Sequence, residues 1–131
     1  MIIFEFLLID RQEEFHNEKH SYIYEYEGCL TILIDGKVFF KEQGIAVLEF
    51  LRDACKWINN KNKREDMLYN CIETEDNPLI SFILKKDKWY IQSPWQKFKS
   101  DGVFAREELE SAIFELKHSV SQYILYGKTV L

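Results

Sequence analysis

The stretch CLTILIDGKVFFK, residues 29–41, decides the class of fold. Two runs rich in β-branched and aromatic residues flank Asp35 and Gly36. This pair favours a two-residue type I′ turn, because both central positions of that turn need positive φ. We therefore expect an antiparallel hairpin in which Ile32 faces Phe39 and Leu33 faces Val38.

Further strands lie on both sides of this hairpin, together with two amphipathic helices. Alternating apolar residues predict strands over residues 2–9, 22–27, 67–72, 79–84 and 89–93, with Gly28 ending the second of these. Apolar residues at three- and four-residue intervals predict helices over about residues 45–58 and 105–126. The prediction is one α+β domain, residues 1–131, in the order ββββαβββα. It has a mostly antiparallel sheet of about six to seven strands, with both helices packed on one face.

The composition is that of a globular domain without covalent cross-links. The chain has 131 residues, of which 47% are hydrophobic, so a core can form without a disulfide or metal. The three cysteines are an odd number and lie in apolar runs, where a thiol acts as a small hydrophobe. The apolar first residues lack a basic region and include Glu5, unlike a signal peptide. We expect a cytoplasmic protein with no membrane partner.

Charge is distributed unevenly along the chain. The net charge is −5, residues 1–36 are rich in acids, and residues 85–99 are rich in lysine. Nucleic acids are bound largely through lysine and arginine contacts to phosphate, so an acidic chain is a poor candidate for binding them. Acidic surface instead steers a basic protein toward it. The alternative is that the charge only maintains solubility.

The densest group of acids is ETEDNP, residues 73–78. A catalytic acid pair needs carboxylates held at different pKa values, usually by burial, whereas this segment is polar. The spaced acids and central glycine of a calcium loop are missing as well. Two interpretations carry most weight: a polar turn made by Asp76, Asn77 and Pro78, and an acidic edge in which Glu73 and Glu75 face a partner.

The run WYIQSPWQKF, residues 89–98, is the most distinctive aromatic segment. We expect Trp89 in or near the core, because it faces Leu84 across a second hairpin. Trp95 follows the end of the strand, so it either folds back with Phe98 as a lid over the core or anchors an interface. His16 and His20 have a spacing that suits zinc only on a helix, and their segment is predicted to be a loop.

With these residues assembled, the sequence resembles a group of small uncharacterised bacterial proteins with an SPWQxF motif, some of which are regarded as immunity proteins of polymorphic toxin systems. No catalytic residue is carried over from the resemblance. Ala105 departs from the pattern, since a capping hydroxyl is expected there. The resemblance rests on LTI and IDG at residues 30–36, NP and ISF at residues 77–82, SPWQ with Phe98, and REEL at residues 106–109.

The resemblance implies a stoichiometric, non-catalytic inhibitor of a cognate toxin, for instance a nuclease with a basic groove. We expect no enzyme activity, no cofactor, no metal and no nucleic acid, and a monomer or weak homodimer. One alternative is a small-ligand module or minor enzyme with a pocket between sheet and helices, lined by Tyr22, Tyr24, Tyr26 and Trp89. Another is a scaffold or homodimer that uses a sheet edge. The predicted partner-binding residues are Glu25, Glu27, Glu73, Glu75, Asp76 and Trp95.

Overall fold

The computed structural model describes residues 1–11 and 26–126, with side chains described for residues 1–8 and 26–122. The described part has six strands and two helices in the order βββαβββα. The strands and helices are β1 (Ile2–Arg11), β2 (Tyr26–Ile34), β3 (Lys37–Ala46), α1 (Val47–Asn59), β4 (Met67–Tyr69), β5 (Ile80–Lys85), β6 (Lys88–Gln92) and α2 (Arg106–Tyr126).

The α+β class is confirmed, but the strands form two antiparallel sheets of three instead of one larger sheet. Sheet A has the order β1-β2-β3 and sheet B the order β4-β5-β6. The three strands of sheet B follow α1 and a polar connection, and β4 offers just three residues for pairing. The alternation of apolar residues predicts single strands but not which strands pair, so it did not reveal that the strands divide into two sheets.

The hairpin between β2 and β3 has the predicted turn. Asp35 and Gly36 have φ values of 50° and 82°, as a type I′ turn requires. Leu33 faces Val38, as predicted. Ile32, however, faces Phe40 and not Phe39, so the predicted partner of Ile32 is wrong by one residue.

The reason is a β-bulge at Phe39. The register shifts between Ile32 and Leu33, and the extra residue on β3 lets both Phe39 and Phe40 be fully buried. A second shift between Gly28 and Leu30 lies opposite Gly44, whose φ is 73°. Glycine tolerates this conformation, and β3 therefore continues to Ala46, beyond the predicted end at residue 41.

Gly28 lies inside β2, so the prediction that it ends a strand is wrong. A Cβ atom at this position would stand 2.1 Å from the backbone oxygen of Leu7 on β1. Glycine is needed here because the two backbones approach closely. Besides a break or bend, a close approach of this kind is a common reason for a glycine within a strand. The remainder of the predicted strand, residues 22–25, lies outside the described residues.

The turn between β5 and β6 has the same form as the first, without glycine. Lys86 and Asp87 have φ values of 50° and 67°, and Leu84 faces Trp89 as predicted. Asp87 also accepts a hydrogen bond of 2.7 Å from Arg64 Nη1. The short connection therefore closes the hairpin even though both residues adopt a conformation that is uncommon outside glycine.

The core lies between the sheets and the helices. The ring of Phe82 on β5 is 6.1 Å from that of Phe4 on β1 and 5.3 Å from that of Trp57 on α1, measured between centroids. α2 packs along β1, and α1 lies against β2 and β4. The predicted stripe of α2 is buried over its described part, namely Leu109, Ala112, Ile113, Leu116 and Val120.

Arg106 joins the start of α2 to the end of α1. Its guanidinium carbon lies 3.9 Å from the centre of the Trp57 ring, and Nη2 donates to the Trp57 backbone oxygen at 2.9 Å. Its Nε donates to Glu110 at 2.7 Å. A planar guanidinium can stack on an aromatic face and bond in its own plane at the same time, which lysine cannot do.

Candidate functional site: a cleft on the second sheet

A broad cleft lies on the outer face of sheet B, and we call it the sheet-B cleft. Its volume is about 1230 Å³. The outer faces of β5 and β6 form its floor, and the loops over residues 75–78 and 93–101 form its walls. It is lined by Glu75, Asp76, Asn77, Pro78, Ser81, Lys85, Tyr90, Ile91, Gln92, Ser93, Pro94, Gln96, Lys99, Ser100 and Asp101.

The first wall is a turn closed by Asn77. The Asn77 amide accepts from the backbone nitrogen of Cys71 at 2.8 Å and donates to the backbone oxygens of Cys71 and Thr74 at 2.9 and 2.7 Å. The Thr74 hydroxyl accepts from the backbone nitrogen of Asp76 at 3.1 Å. The peptide bond from Asn77 to Pro78 is cis. The polar-turn interpretation of ETEDNP is thus confirmed for its second half.

The second wall is a turn closed by Ser93 and Gln96. The Ser93 hydroxyl accepts a hydrogen bond from the backbone nitrogen of Trp95 at 3.0 Å. The Ser93 backbone oxygen accepts a second bond from the backbone nitrogen of Gln96 at 3.2 Å. The Gln96 side chain accepts from the Ser93 backbone nitrogen at 3.0 Å. Together these bonds fix the four residues SPWQ as one compact unit.

The bulge at Phe39 holds this second wall against sheet A. The backbone nitrogen of Lys97 donates to the backbone oxygen of Phe39 at 2.7 Å. The Phe98 ring lies 5.6 Å from the Phe39 ring, in an edge-to-face arrangement. The position of the wall therefore depends on the register of the first hairpin.

Trp95 bridges the two walls. Its half-buried ring packs against the core, as expected of a lid. Its Nε1 donates to Asp76 Oδ2 at 2.9 Å. The structure thus brings together two of the predicted binding residues from segments far apart in the sequence.

Two more of the predicted acids influence each other. Burial, and next the charge of Glu73, raise the pKa of the Glu27 carboxyl on β2. Glu75 lines the sheet-B cleft. Glu25 lies outside the described residues. We call the surface made by Glu27, Glu73, Glu75, Asp76 and Trp95 the acidic surface.

The acids of the ETEDNP loop, Glu73, Glu75 and Asp76, form no ion pair within the described part of the chain. Residues 67–84 contain no lysine, arginine or histidine. Asp76 has only a neutral donor for its carboxylate side chain, the indole of Trp95. The negative charge of the loop is therefore not neutralised within the described part.

Ser81 is a residue of the cleft that sequence reasoning did not single out. It is only 5% exposed, yet it lines the sheet-B cleft, because it points away from its fully buried neighbours Ile80 and Phe82. Its hydroxyl has no hydrogen-bond partner among the residues the structure describes. Gln92 stands opposite Ser81 on β6. The sequence feature that could have pointed to Ser81 is its position as a lone polar residue within the apolar run LISFIL.

The alternative pocket between sheet and helices does not coincide with this cleft. Tyr26 and Trp89 are buried in the core, and Tyr22 and Tyr24 lie outside the described residues. The Trp89 ring packs against Trp57 at a centroid distance of 5.2 Å. The cleft lies on the opposite face of sheet B from these core residues.

A second polar group, Glu49 with Tyr69, lies inside the core. The Tyr69 hydroxyl donates to Glu49 Oε1 at 2.8 Å, and the Glu49 side chain is in the first turn of α1, where the helix dipole favours a negative charge. Burial, and next the bond to Glu49, raise the pKa of the Tyr69 phenol. Both residues are almost fully enclosed, so this pair acts on the stability of the core.

In residues 1–11 and 26–126, no three His, Cys, Asp or Glu side chains are grouped so that they could hold a metal ion. His16 and His20 lie outside this part. No helix in it is long and apolar enough to cross a membrane.

The chain matches no curated protein and no solved structure. It does match a family of domains of unknown function over residues 3–125, which takes in both sheets, both helices and both walls of the cleft. The chain is therefore a member of the family described as domain of unknown function DUF7878.

Proposed function

We propose that this chain is an immunity protein, a stoichiometric and non-catalytic inhibitor that binds a cognate bacterial toxin through the acidic surface. The observation that carries the proposal is the bond between Asp76 and Trp95. It holds an aromatic ring against the loop that carries Glu73 and Glu75, and the charge of Glu73 in turn acts on Glu27 of sheet A.

The charge of this surface supports a basic partner. Glu73 and Glu75 form no ion pair within the described part, and Glu27 and Glu73 repel each other. A lysine or arginine of a partner would relieve this repulsion and supply the missing counter-charge. Opposite charges across an interface also speed diffusional encounter and favour the correct partner.

The rigidity of the surface supports a tight complex. Trp95 is held by its own turn, by the core beneath it and by Asp76, so little conformational freedom remains to be lost on binding. Tryptophan is also among the residues enriched at binding hot spots. The resemblance noted in the sequence includes NP and SPWQ, and the cleft is lined by both residues of NP and by Ser93, Pro94 and Gln96 of SPWQ.

The first test is to identify the partner and its stoichiometry. The coding region directly upstream should specify a toxin domain, and the purified pair should form a one-to-one complex. Toxin activity should fall linearly to zero as one equivalent of this chain is added. Complete inhibition by a small fraction of an equivalent would indicate catalysis and contradict the proposal. So would a neighbourhood without a toxin together with no captured protein.

The second test locates the interface. The combined variant Glu73→Lys, Glu75→Lys, Asp76→Lys should slow association and weaken binding, and the wild-type association rate should fall as salt rises. The matched control reverses three acids outside the acidic surface, Glu5, Glu107 and Glu115, and so has the same net charge. Equal loss of affinity in both variants would show that only net charge matters.

A further inference from the structure

The floor of the sheet-B cleft carries a polar side chain, Ser81, whose hydroxyl is open to the cleft. Ser81 is only 5% exposed, and its hydroxyl, which can donate one hydrogen bond and accept two, bonds to nothing within the described residues. Buried polar groups nearly always have a partner in the protein or in solvent. Because the side chain faces the cleft and its oxygen is accessible there, water or a group bound in the cleft can satisfy this hydroxyl.

Two glutamine side chains line the same cleft as this hydroxyl. Gln92 faces Ser81 across the two strands and is exposed. Gln96 uses its oxygen to accept from Ser93, and its amide nitrogen donates to no group in the described part. The cleft therefore offers hydrogen-bond donors and acceptors at several neighbouring points, which is what the alternating N–H and C=O groups of an extended polypeptide require.

The size and lining of the cleft fit a polypeptide better than a small molecule. Its volume of about 1230 Å³ exceeds the range of roughly 300–1,000 Å³ that is usual for small-molecule sites. Such sites are also lined mainly by apolar side chains, whereas most of the residues that line this cleft are polar.

The charges of the cleft favour a basic occupant. Three acids, Glu75, Asp76 and Asp101, line it against two lysines, Lys85 and Lys99. Glu73 and Glu27 add negative charge beside the same wall. Lys85 Nζ lies 5.9 Å from the centre of the Tyr90 ring, a cation–π distance that holds this lysine at one end of the cleft floor.

We infer that the sheet-B cleft binds an extended, lysine- or arginine-bearing segment of the partner, with its backbone against Ser81 and Gln96 and a cation against Glu75. That this segment belongs to a toxin rests on the proposed function. Ser81, the glutamine amides and the charges of the lining support peptide binding in the cleft independently of any toxin, and a peptide probe tests it separately.

The probe is a blocked peptide of alternating threonine and lysine, titrated into ¹⁵N-labelled protein and followed by NMR. The same peptide with glutamate in place of lysine is the control. We expect the lysine peptide to shift the amide signals of Ser81, Gln92 and Gln96 and the indole signal of Trp95, and we expect the glutamate peptide to shift none of them. Shifts confined to other surfaces, or none at millimolar peptide, would overturn the inference.

The matched variants are Ser81→Leu and Thr31→Leu. Both place a leucine on the outer face of a sheet, Ser81 on sheet B and Thr31 on sheet A, and circular dichroism verifies that each is folded. Ser81→Leu should weaken peptide binding about tenfold or more, because it fills the cleft floor and removes the hydroxyl, while Thr31→Leu should leave binding unchanged. Unchanged peptide binding by folded Ser81→Leu would contradict the inference.

The two proposals can fail separately. If the toxin binds and Ser81→Leu leaves its affinity unchanged, while charge reversal of the acidic surface abolishes binding, the cleft inference is wrong and the proposed function stands. If no toxin exists and the lysine peptide still binds at Ser81, the proposed function is wrong and the cleft stands as a basic-peptide site.

Discussion

The indole nitrogen of Trp95 donates a hydrogen bond of 2.9 Å to Oδ2 of Asp76, and this bond joins the two walls of the sheet-B cleft. The two residues lie in turns that are each closed by their own hydrogen bonds. The contact therefore positions the walls relative to each other, in addition to holding the ring.

Asp76→Asn and Asp76→Ala separate these two roles. Asparagine keeps an oxygen acceptor for the indole and removes the charge, so the Trp95 indole NMR signal should change little while toxin association slows. Alanine removes both, so indole hydrogen exchange should accelerate and stability should fall by about 1 kcal/mol. Equal indole exchange in the two variants would show that the bond does not hold the ring.

Glu73→Gln should lower the pKa of Glu27 toward its ordinary value, because the charge of Glu73 contributes to raising it. A carboxyl whose pKa is raised on folding contributes stability below its ordinary pKa, and this stability is lost as pH rises through the raised value. The variant should therefore lose less stability than the wild type between acid and neutral pH. Carboxyl-carbon NMR titration and urea midpoints measure the two effects.

Glu75→Gln is the control for this prediction, since it neutralises a nearby acid of the same loop. A Glu27 pKa lowered equally by both changes would assign the effect to the overall charge of the loop and not to the neighbouring carboxylate.

Tyr69→Phe should destabilise the domain by about 1–3 kcal/mol, because it leaves the carboxylate of Glu49 buried without the phenol donor. Tyr90→Phe removes a hydroxyl from the half-exposed face of sheet B and should change stability by less than about 0.5 kcal/mol. Urea unfolding at neutral pH compares the two.

The stability difference between wild type and Tyr69→Phe should also change at alkaline pH. The raised pKa of Tyr69 keeps its phenol protonated in the folded chain, whereas the unfolded phenol ionises near pH 10. The stability that Tyr69 contributes is complete below that pH and declines above it. The difference between wild type and Tyr69→Phe should therefore narrow from about pH 9 to 11, and a constant difference would argue against a buried phenol.

Gly28→Ala should destabilise the domain by at least about 1–3 kcal/mol, because its Cβ would stand 2.1 Å from the Leu7 oxygen and force β1 and β2 apart. Gly102→Ala is the comparison, since the nearest atom to its Cβ would be Ser100 Oγ at 3.4 Å. Similar urea midpoints for the two variants would contradict the close approach of the strands.

Ala105→Ser should stabilise the domain by roughly 0.5–1 kcal/mol. The Ala105 backbone oxygen accepts from the backbone nitrogens of Glu108 and Leu109, at 3.1 and 3.3 Å, so the residue stands at the capping position of α2 without a side chain that can accept. Ala105→Val, which also lacks an acceptor, should bring no gain in urea midpoint.

Local signals predicted what depends on neighbours in the chain. Asp35 and Gly36 specified their turn, and the spacing of Leu109, Ile113 and Leu116 specified the buried face of α2. The bulge at Phe39 left no such signal, because an extra apolar residue in an apolar strand does not change the composition of the run. Gly28 was open to two meanings, a break or a close approach, and only the position of Leu7 decides between them.

The site was predictable in its parts and not in its assembly. Trp95, Glu73, Glu75 and Asp76 stood out as unusual residues, but their proximity depends on a fold that brings distant segments together. Ser81 was hidden because a serine within LISFIL is equally consistent with a buried strand residue that bonds inside the core. Which face of β5 it occupies followed only from the structure.

The backbone bond from Lys97 to Phe39 makes the cleft depend on two segments that are far apart in the chain. The second wall has its place only where the first hairpin has its bulged register, so a chain with a misfolded hairpin would lack the complete cleft. A partner that recognises this cleft would therefore discriminate complete chains from partly folded ones. Because such a partner would bind only the folded chain, it would also stabilise the chain against unfolding. The lifetime of the chain in the cell would then depend on the concentration of its partner.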